Sequence, residues 1–324
     1  MKAICVFSGG LDSMLAAEII RDQGIDVLAL FFETPFFGPD KAASSAGAMG
    51  LALKVVDITQ RHLEVVRHPK HGYGAHMNPC VDCHSLMFQI AGEMLKPEGA
   101  AFAVTGEVLG QRPMSQNKGA LNRIAAESGL HDLLVRPLSA KLLSPTLPEE
   151  RGWIQREKLY GFQGRSRKPQ MELARRLNLP DYPSPAGGCL LTEKVFSRRL
   201  KDLLAGTTEV QTKDLELLKS GRHFRIGPNT KVVVGRNKEE NERIQSLAGE
   251  QDIILKSING PGPTVLVSGE FTAEVIETAV GITIAYSDTA GRKISKVGIK
   301  KGKADIITLS APVQDKGVFR DLMI

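Results

Sequence analysis

At residues 8–13 the sequence reads Ser-Gly-Gly-Leu-Asp-Ser, between the apolar run 3–7 and the amphipathic stretch 13–22. This order predicts a strand, a glycine turn and a helix. Adjacent glycines let the backbone approach an anion closely, and the N–H groups at a helix start favour phosphate. The alternative is an ordinary turn with a Ser or Asp N-cap. We predict that the phosphate-binding residues are Ser8, Gly9, Gly10, Leu11, Asp12 and Ser13.

Apolar runs alternate with helical periodicity through the first half of the chain. The predicted strands are residues 3–7, 27–32, 53–58, 101–105 and 133–135. The predicted helices are residues 13–22, 41–52, 84–95 and 119–128. Buried strands separated by helices favour an α/β fold with a doubly wound, Rossmann-like parallel sheet. Ligands bind at the carboxyl ends of such strands, where Ser8, Phe31 and Gly106 are expected to lie.

After Pro137 the pattern breaks into loops and helices, and the remainder, from about residue 210 to 324, predicts a second, smaller α+β domain. Helices are predicted at residues 151–159, 169–177 and 193–204, before a linker at 205–208. Beyond it we predict strands at 223–226, 231–234, 264–267 and 306–309, and helices at 239–247 and 273–284. The predicted domains are therefore 1–205 and 206–324.

The formal net charge is +6, from 42 basic and 36 acidic residues among 324. Residues 141–200 carry 12 Lys or Arg and 6 Asp or Glu, so their net charge is also +6. A basic stretch of this kind suits a polyanion such as RNA, and the alternative is a solvated helical face. No apolar stretch approaches the ~20 residues that cross a bilayer, and the start lacks a signal-peptide layout. We expect a cytoplasmic protein without membrane contact.

Three of the four cysteines form a candidate metal or sulfur site. Cys5 lies in the first predicted strand and is expected to be a small buried hydrophobe. Cys80 and Cys83 are separated by two residues, so both thiolates can reach one metal or cluster, with Cys189 as a third ligand. Three ligands suit a [4Fe–4S] cluster with one open iron. Zinc with an added histidine, a persulfide–disulfide pair and unrelated thiols are the alternatives.

The segment 8–13 resembles the PP-loop of ATP pyrophosphatases, also called adenine nucleotide α-hydrolases. No Gly-Lys-Ser/Thr follows it, so it is not a Walker A loop. The resemblance implies cleavage of ATP between the α- and β-phosphates. AMP is then placed on a substrate oxygen, and a nucleophile displaces it.

Further segments resemble tRNA-thiolating members of that family. Residues 78–84, Asn-Pro-Cys-Val-Asp-Cys-His, are similar to a segment of tRNA 2-thiouridylases. Residues 105–111, Thr-Gly-Glu-Val-Leu-Gly-Gln, and Arg-Pro-Leu at 136–138 are similar to segments of 4-thiouridine synthetases. Residues 223–237 resemble the RNA-binding domain of NFACT proteins. No THUMP-like segment precedes the PP-loop, so the C-terminal domain is expected to supply RNA binding.

The resemblance implies an ATP-dependent tRNA sulfurtransferase that replaces a uridine carbonyl oxygen with sulfur. Its implied cofactors are ATP, Mg²⁺ and a [4Fe–4S] cluster, and its implied partners are tRNA and a sulfide or persulfide donor. For the assembly of the protein, a homodimer and a monomer are the alternatives. The implied catalytic residues are Cys80, Cys83, Cys189 and Asp12, with the three cysteines as metal ligands. Phe31, Gly106 and Gln111 join residues 8–13 as the implied nucleotide-binding residues.

Other readings of the sequence remain open at this stage. A PP-loop enzyme that adenylates a small molecule or inserts sulfur into it would keep the same loop. Deazapurine synthases use a four-cysteine zinc site, for which this sequence lacks a fourth candidate beside the other three. A thiolase could also work through a persulfide without a cluster. A non-catalytic RNA-binding protein would release no pyrophosphate. Desulfuration of thiolated bases would need no adenylation.

Overall fold

The computed structural model describes residues 1–179, 182–184, 189–207 and 209–324. The chain divides into two compact units, Met1–Thr192 and Glu193–Ile324. The sequence-based boundary at 205/206 stays a prediction, and part of its linker, Thr208, lies outside the described residues. No described helix is long and apolar enough to cross a membrane.

The first unit contains a five-stranded parallel sheet of order β3-β2-β1-β4-β5. Its strands are β1 (Lys2–Val6), β2 (Asp26–Glu33), β3 (Ala52–Asp57), β4 (Phe102–Thr105) and β5 (Leu134–Val135). The strands are apolar because helices cover both faces, except at the edge strand β3. The predicted doubly wound α/β fold is confirmed.

Helices lie on both sides of this sheet and bury two separate cores. They are α1 (Leu11–Arg21), α2 (Asp40–Met49), α3 (Thr59–Arg67), α4 (Cys80–Leu95), α5 (Lys118–Glu127), α6 (Leu147–Glu150) and α7 (Lys168–Arg176). α1, α2 and α7 contribute to one core, and α4 and α5 to the other. The two sides alternate along β2, so Phe31 enters the first core and Phe32 the second.

The strand order places the candidate site at a topological switch point. After β1 the chain adds β2 and β3 on one side, then returns to place β4 on the other side of β1. The carboxyl ends of β1 and β4 therefore adjoin, and a crevice for ligands is expected there. Residues 8–13 follow β1, and Gly106 follows β4.

Several helical features differ from the sequence prediction, which contained neither α6 nor a helix at Thr212–Leu217. α3 was not predicted either, because only two of the four residues on its buried face, Leu63 and Val66, are apolar. The helix predicted at 151–159 is wrong. There, a turn after α6 leads to a short 3₁₀ helix, Arg156–Lys158, and Gly152 adopts a φ of +66°. Glycine in that left-handed conformation cannot continue a right-handed helix.

The second unit is built around a six-stranded antiparallel sheet of order β11-β10-β8-β9-β7-β6. Its strands are β6 (Arg222–Gly227), β7 (Thr230–Val234), β8 (Ile253–Ser257), β9 (Val265–Ser268), β10 (Ile294–Lys301) and β11 (Ile307–Pro312). Its helices are α8 (Lys194–Gly206), α9 (Thr212–Leu217), α10 (Lys238–Leu247) and α11 (Ala273–Ala285). The predicted smaller α+β domain is confirmed.

The two faces of this sheet are covered unequally. One face packs on α11 and forms the larger core, which includes Phe224, Leu255 and Val297. On the other face α9 and α10 cover only the central strands, where Val233 and Leu266 are buried. The corresponding face of β10 and β11 carries exposed residues.

Candidate functional site

The loop at residues 8–13 is held in place by its own hydroxyl groups. The Ser13 Oγ donates a hydrogen bond to the Gly10 carbonyl oxygen at 2.8 Å. It also lies 3.3 Å from the Ser8 Oγ. Gly10 is the N-cap of α1 in an extended conformation and has no side chain to occupy the helix end. The first N–H groups of α1 therefore remain available for an anion.

Within the loop, Gly9 is required by both conformation and space. Its φ is +70°, and a Cβ atom there would lie 2.6 Å from the Lys41 carbonyl oxygen. Its own carbonyl accepts a hydrogen bond from the Ser45 Oγ at 2.9 Å. The start of α2 is therefore fixed against the loop. Leu11 is 1% exposed, so its side chain is not accessible to a ligand. Only its backbone can take part in the phosphate binding predicted for residues 8–13.

Gly106 packs directly against the backbone of the loop at residues 8–13. A Cβ atom at Gly106 would lie 2.5 Å from the carbonyl carbon of Asp12 and 2.6 Å from the backbone nitrogen of Ser13. The absence of a side chain lets the end of β4 pack against the start of α1. The predicted contact between Gly106 and a nucleotide stays a prediction.

Asp12 lies in a buried polar pocket next to the loop. Its Oδ2 accepts a hydrogen bond from the Gln111 Nε2 at 2.9 Å, while its buried Oδ1 has no hydrogen-bond partner in the described part of the chain. Burial raises the pKa of Asp12, against the opposing effects of Gln111, Arg167 and Arg112. The buried polar atoms without described partners here also include the Arg167 Nε and the side-chain oxygen of Gln111. Such atoms are expected to contact a polar ligand.

Three cationic side chains surround the loop, and the sequence analysis assigned none of them to it. The Lys41 Nζ lies 3.9 Å from the position of a Cβ atom at Gly10. Burial and the charge of Arg167 lower the pKa of Lys41, while the charges of Arg167 and Arg112 act on Asp12. Within the described ranges, Lys41, Arg112 and Arg167 form no ion pair with an acidic side chain. Cations that are not held in a close ion pair beside a helix N-terminus favour an anion site.

Phe31 belongs to the hydrophobic core next to this site. It is 8% exposed and contacts Phe37 edge to face, with ring centroids 6.4 Å apart. The position agrees with the expected strand end, but little of the ring surface is open. Adenine contact by Phe31 stays a prediction.

The three candidate cysteines lie in the same unit and influence one another electrostatically. Cys80 is the first residue of α4, and Cys83 follows one turn later. Burial raises the pKa of Cys83, and the charges of Cys189 and Cys80 raise it further. Burial also raises the pKa of Cys80, while the positive charge of Arg112 acts to lower it. The structure therefore brings Cys80, Cys83 and Cys189 within interaction range.

The charge of Arg112 acts on both the loop and the thiol site. It acts to lower the pKa of Asp12, beside the loop, and that of Cys80, at the thiol site, although burial raises both. The residue directly follows Gln111, so the predicted motif 105–111 ends one position short of it.

His62 contacts the cysteine site and was not anticipated. Its Nε2 lies 3.2 Å from the Cys83 Sγ, and its ring packs against Phe36 and Phe37. It is fully buried, and burial lowers its pKa to about 4. A lone histidine on a short helix gives no sequence signal for this contact.

A buried ion pair fixes the helix that carries the cysteines. The Glu107 Oε1 lies 2.8 Å from the His84 Nδ1, and its Oε2 accepts a hydrogen bond from the Arg136 Nε at 2.9 Å. Burial alone would raise the pKa of Glu107, but Arg136 and His84 hold it below its usual range. The motif residues Glu107 and Arg136 thus orient His84, the residue after Cys83.

The donor chemistry at the cysteines fits an iron–sulfur cluster, since thiolates are its usual ligands. As placed, however, the three cysteines do not form a ligand group: the described residues include no group of three His, Cys, Asp or Glu side chains that could hold a metal ion. Cys189 follows residues 185–188, which lie outside the described part. For Mg²⁺ the pocket offers Asp12, with its unpartnered Oδ1.

The basic stretch 141–200 is divided between the two units. Arg167 faces the loop, as described above. Arg199 belongs to the second unit and donates hydrogen bonds to the carbonyl oxygens of Leu218 and Gly221. Two residues of the predicted RNA patch therefore serve other contacts.

A glycine loop at the switch point of a doubly wound parallel sheet is typical of nucleotide-binding α/β domains. Residues 1–141 match the family described as "Thiamine biosynthesis protein (ThiI)", and residues 221–318 match "NFACT protein RNA binding domain". The predicted resemblance to PP-loop tRNA sulfurtransferases, with a C-terminal NFACT-type RNA-binding domain, is confirmed. That family relationship supports ATP as the nucleotide.

The chain is also similar to individual curated proteins and to a solved structure. The "tRNA-specific 2-thiouridylase MnmA" of Methylobacillus flagellatus is 24% identical over 86% of this chain and 81% of its own length. A "Probable tRNA sulfurtransferase" of Caldanaerobacter subterraneus is 29% identical over 34% of this chain and 30% of its own length. A crystal structure of a 4-thiouridine synthetase–RNA complex with bound ATP shares 20% identity at a TM-score of 0.39, over 67% of this chain and 52% of that one.

Acid is expected to destabilise the first unit through His62. The folded state holds the pKa of His62 at about 4, below the 6.5 of the free side chain, so protonation between these values favours unfolding. Stability should be complete above pH 6.5 and fall by roughly 3 kcal/mol as the pH approaches 4. His62→Gln should remove this part of the pH dependence. Urea unfolding followed by the single tryptophan, Trp153 in the first unit, measures it.

The control is His131→Gln, because His131 is exposed and pairs only with the exposed Asp132. This variant should keep the wild-type pH dependence. If His62→Gln unfolds with the same change in midpoint between pH 7 and pH 5 as the wild type, the argument from burial is wrong.

Proposed function

We propose that this protein is an ATP-dependent tRNA sulfurtransferase, which replaces a uridine carbonyl oxygen with sulfur and releases AMP and pyrophosphate. The observation that carries the proposal is Arg112, whose charge acts on both Asp12 beside the PP-loop and Cys80 at the thiol site. A phosphate site and a sulfur site that share one cation suit a reaction that activates an oxygen and then delivers sulfur.

In the first step the PP-loop and its cations hold the ATP phosphates. The N–H groups at the start of α1, together with Lys41 and Arg167, would stabilise negative charge on the phosphate oxygens. Mg²⁺ would supply further charge neutralisation, with Asp12 as its protein ligand. The uridine oxygen attacks the α-phosphorus of ATP, the bond between that phosphorus and the bridging oxygen of the β-phosphate breaks, and pyrophosphate leaves as the adenylated base forms.

In the second step a sulfur nucleophile attacks the activated carbon of the base, and AMP leaves with the original oxygen. Placing sulfur beside that carbon turns a bimolecular encounter into an oriented reaction. The target base must leave its stack to reach the site. A hydrosulfide, or the outer sulfur of a persulfide, is the nucleophile in this scheme.

Cys80, Cys83 and Cys189 are the residues we propose for the sulfur site, as ligands of a [4Fe–4S] cluster. Bound there, the cluster would supply an open iron that can hold a sulfide. The electrostatic interaction of the three thiols supports this assignment. Each thiolate raises the pKa of its neighbours, so all three ionise together only where a cation compensates their negative charge. The alternative is a persulfide on one cysteine and resolution by another.

The test is a single-turnover reaction of the anaerobic protein with ATP, Mg²⁺, sulfide and unmodified tRNA. Pyrophosphate, AMP and thiolated nucleoside should form in equal amounts, the nucleoside detected by mass spectrometry after digestion. Pyrophosphate release that does not depend on tRNA would contradict the proposal and favour a small-molecule PP-loop enzyme. Thiolation by protein without iron when a persulfide donor replaces sulfide, but not with sulfide itself, would favour the persulfide alternative, in which a second cysteine releases the transferred sulfur and a protein disulfide remains.

A further inference from the structure

The second unit leaves half of one sheet face uncovered, at β8, β10 and β11. Strand pairing sets Gly298 of β10 opposite Lys256 of β8 and Thr308 of β11. The same pairing sets Lys296 opposite Ser310. Side chains directly paired across a sheet point to the same face. We name this surface, formed by Lys256, Lys296, Lys300, Thr308 and Ser310, the β10 face.

The β10 face is strongly and uniformly basic. Its three charged members, Lys256, Lys296 and Lys300, are all lysines, and it contains no acidic residue. Lys296 and Lys300 are exposed, and neither forms an ion pair with an acidic group in the described ranges. In the described part of the chain, the hydrogen bond of Lys256 goes to the neutral Gln245 side chain, at 2.7 Å. A cluster of cations with no acidic side chain among them favours a polyanion as partner.

The spacing of the lysines suits an extended partner. Lys296 and Lys300 lie four residues apart on one strand, so their Cα atoms are separated by about 13 Å. Lys256 stands across from the strand position midway between them. Three charges therefore follow a line longer than a single phosphate group, with the hydroxyls of Thr308 and Ser310 alongside.

The chemistry of this face selects the backbone of folded RNA over unstacked bases. The set contains no aromatic side chain, which single-stranded binders use to stack bases. Lysines and hydroxyls instead contact phosphates and 2′-OH groups, as duplex RNA requires. Two exposed isoleucines, Ile258 and Ile306, lie next to Gly298 and give the face apolar contact area as well.

We infer that the β10 face binds the sugar–phosphate backbone of a duplex arm of RNA, independently of its sequence. This inference rests on the proposed tRNA substrate and on the NFACT-type match over 221–318, neither of which assigns a surface. The partner is recognised by shape and charge, while selection of the target base is left to the first unit.

The experiment measures tRNA binding by the full chain without ATP, as a function of salt concentration. Lys296→Ala/Lys300→Ala should weaken binding about tenfold or more and reduce the slope of log K against log salt by about 2, since each phosphate contact contributes about 1. The control is Lys219→Ala/Lys238→Ala, which removes the same charge from lysines of the same unit that have acidic partners. The control should change affinity less than twofold.

Competitors identify the partner. Duplex RNA should displace tRNA from the wild type, whereas single-stranded poly(U) and poly-glutamate should not. Equal binding by the two double variants, or displacement by poly(U) or poly-glutamate as effective as that by duplex RNA, would overturn the inference.

Pyrophosphate and thiolation assays run in parallel separate the two proposals. Thiolation with unchanged tRNA binding by the Lys296/Lys300 variant overturns only the β10 face, and absence of thiolation with the expected binding loss overturns only the sulfurtransferase.

Discussion

Replacing Gly106 with alanine is expected to reduce ATP-dependent pyrophosphate release by about 100-fold or more. The added Cβ atom would meet backbone atoms of Asp12 and Ser13 at 2.5 and 2.6 Å, closer than atoms can approach. No flexible side chain is available to move, so the start of α1 or the end of β4 must shift. A displacement of about 1 Å in positioning elements can cost about 10²-fold in rate. Steady-state pyrophosphate release and ATP affinity measure the effect.

The matched control is Gly47→Ala within α2. A Cβ atom there would meet nothing within 4 Å, and alanine favours a helix over glycine. This variant should keep wild-type activity and gain slightly in stability. Thermal unfolding followed by Trp153 distinguishes a shifted loop from global unfolding. A folded Gly106→Ala protein with wild-type rate would contradict the packing argument.

The first unit was largely predictable because its signals are local. All five strands were expected from continuous apolar runs, which a parallel sheet covered on both faces requires. The glycine turn after β1 identified the phosphate loop, and its closeness to Gly106 followed from the rule that ligands bind at carboxyl strand ends. The sequence did not reveal that Gly106 packs on the loop backbone.

The second unit was harder to predict because its strands are only partly buried. β8 and β10 were missed. β10 contains three lysines, one serine and one glycine, and β8 is a short run that ends in Lys and Ser. Their apolar positions become clear only from pairing, which places Leu255 and Ile299 opposite each other on the α11 face. Such half-covered strands depend on tertiary partners rather than on local preference.

The cations of the site could not be predicted at all from local pattern. Lys41, Arg112 and Arg167 lie on three different segments, and only the fold brings their charges to the loop. Arg167 was anticipated as part of an RNA patch, because a basic stretch carries no information about which way each side chain faces. α7 packs against α1, and Arg167 is the N-cap residue of α7. The contact of His62 with Cys83 is long-range in the same sense.

Alanine in place of Cys80, Cys83 or Cys189 is expected to abolish thiolated nucleoside while leaving pyrophosphate release in place. The hydrogen bonds that shape residues 8–13 are made with Ser8, Gly10, Ser45 and Gln111, so the conformation of the loop does not depend on the Cys80 or Cys83 thiol. We therefore expect that adenylation needs none of the three cysteines, whereas sulfur delivery needs all of them. If a cluster is the carrier, anaerobic protein should contain about four irons per chain. Each variant should lose that iron.

Cys5→Ala is the control for general effects of cysteine loss. Cys5 is fully buried within β1, and burial raises its pKa to about 12, so it is inert as a nucleophile. This variant should retain both iron and thiolation. Thiolation by any of the three site variants would remove that cysteine from the mechanism. Loss of thiolation with no iron in the wild type would instead assign the cysteines to persulfide and disulfide chemistry, in which the Cys83 thiol beside His62 must ionise despite its raised pKa.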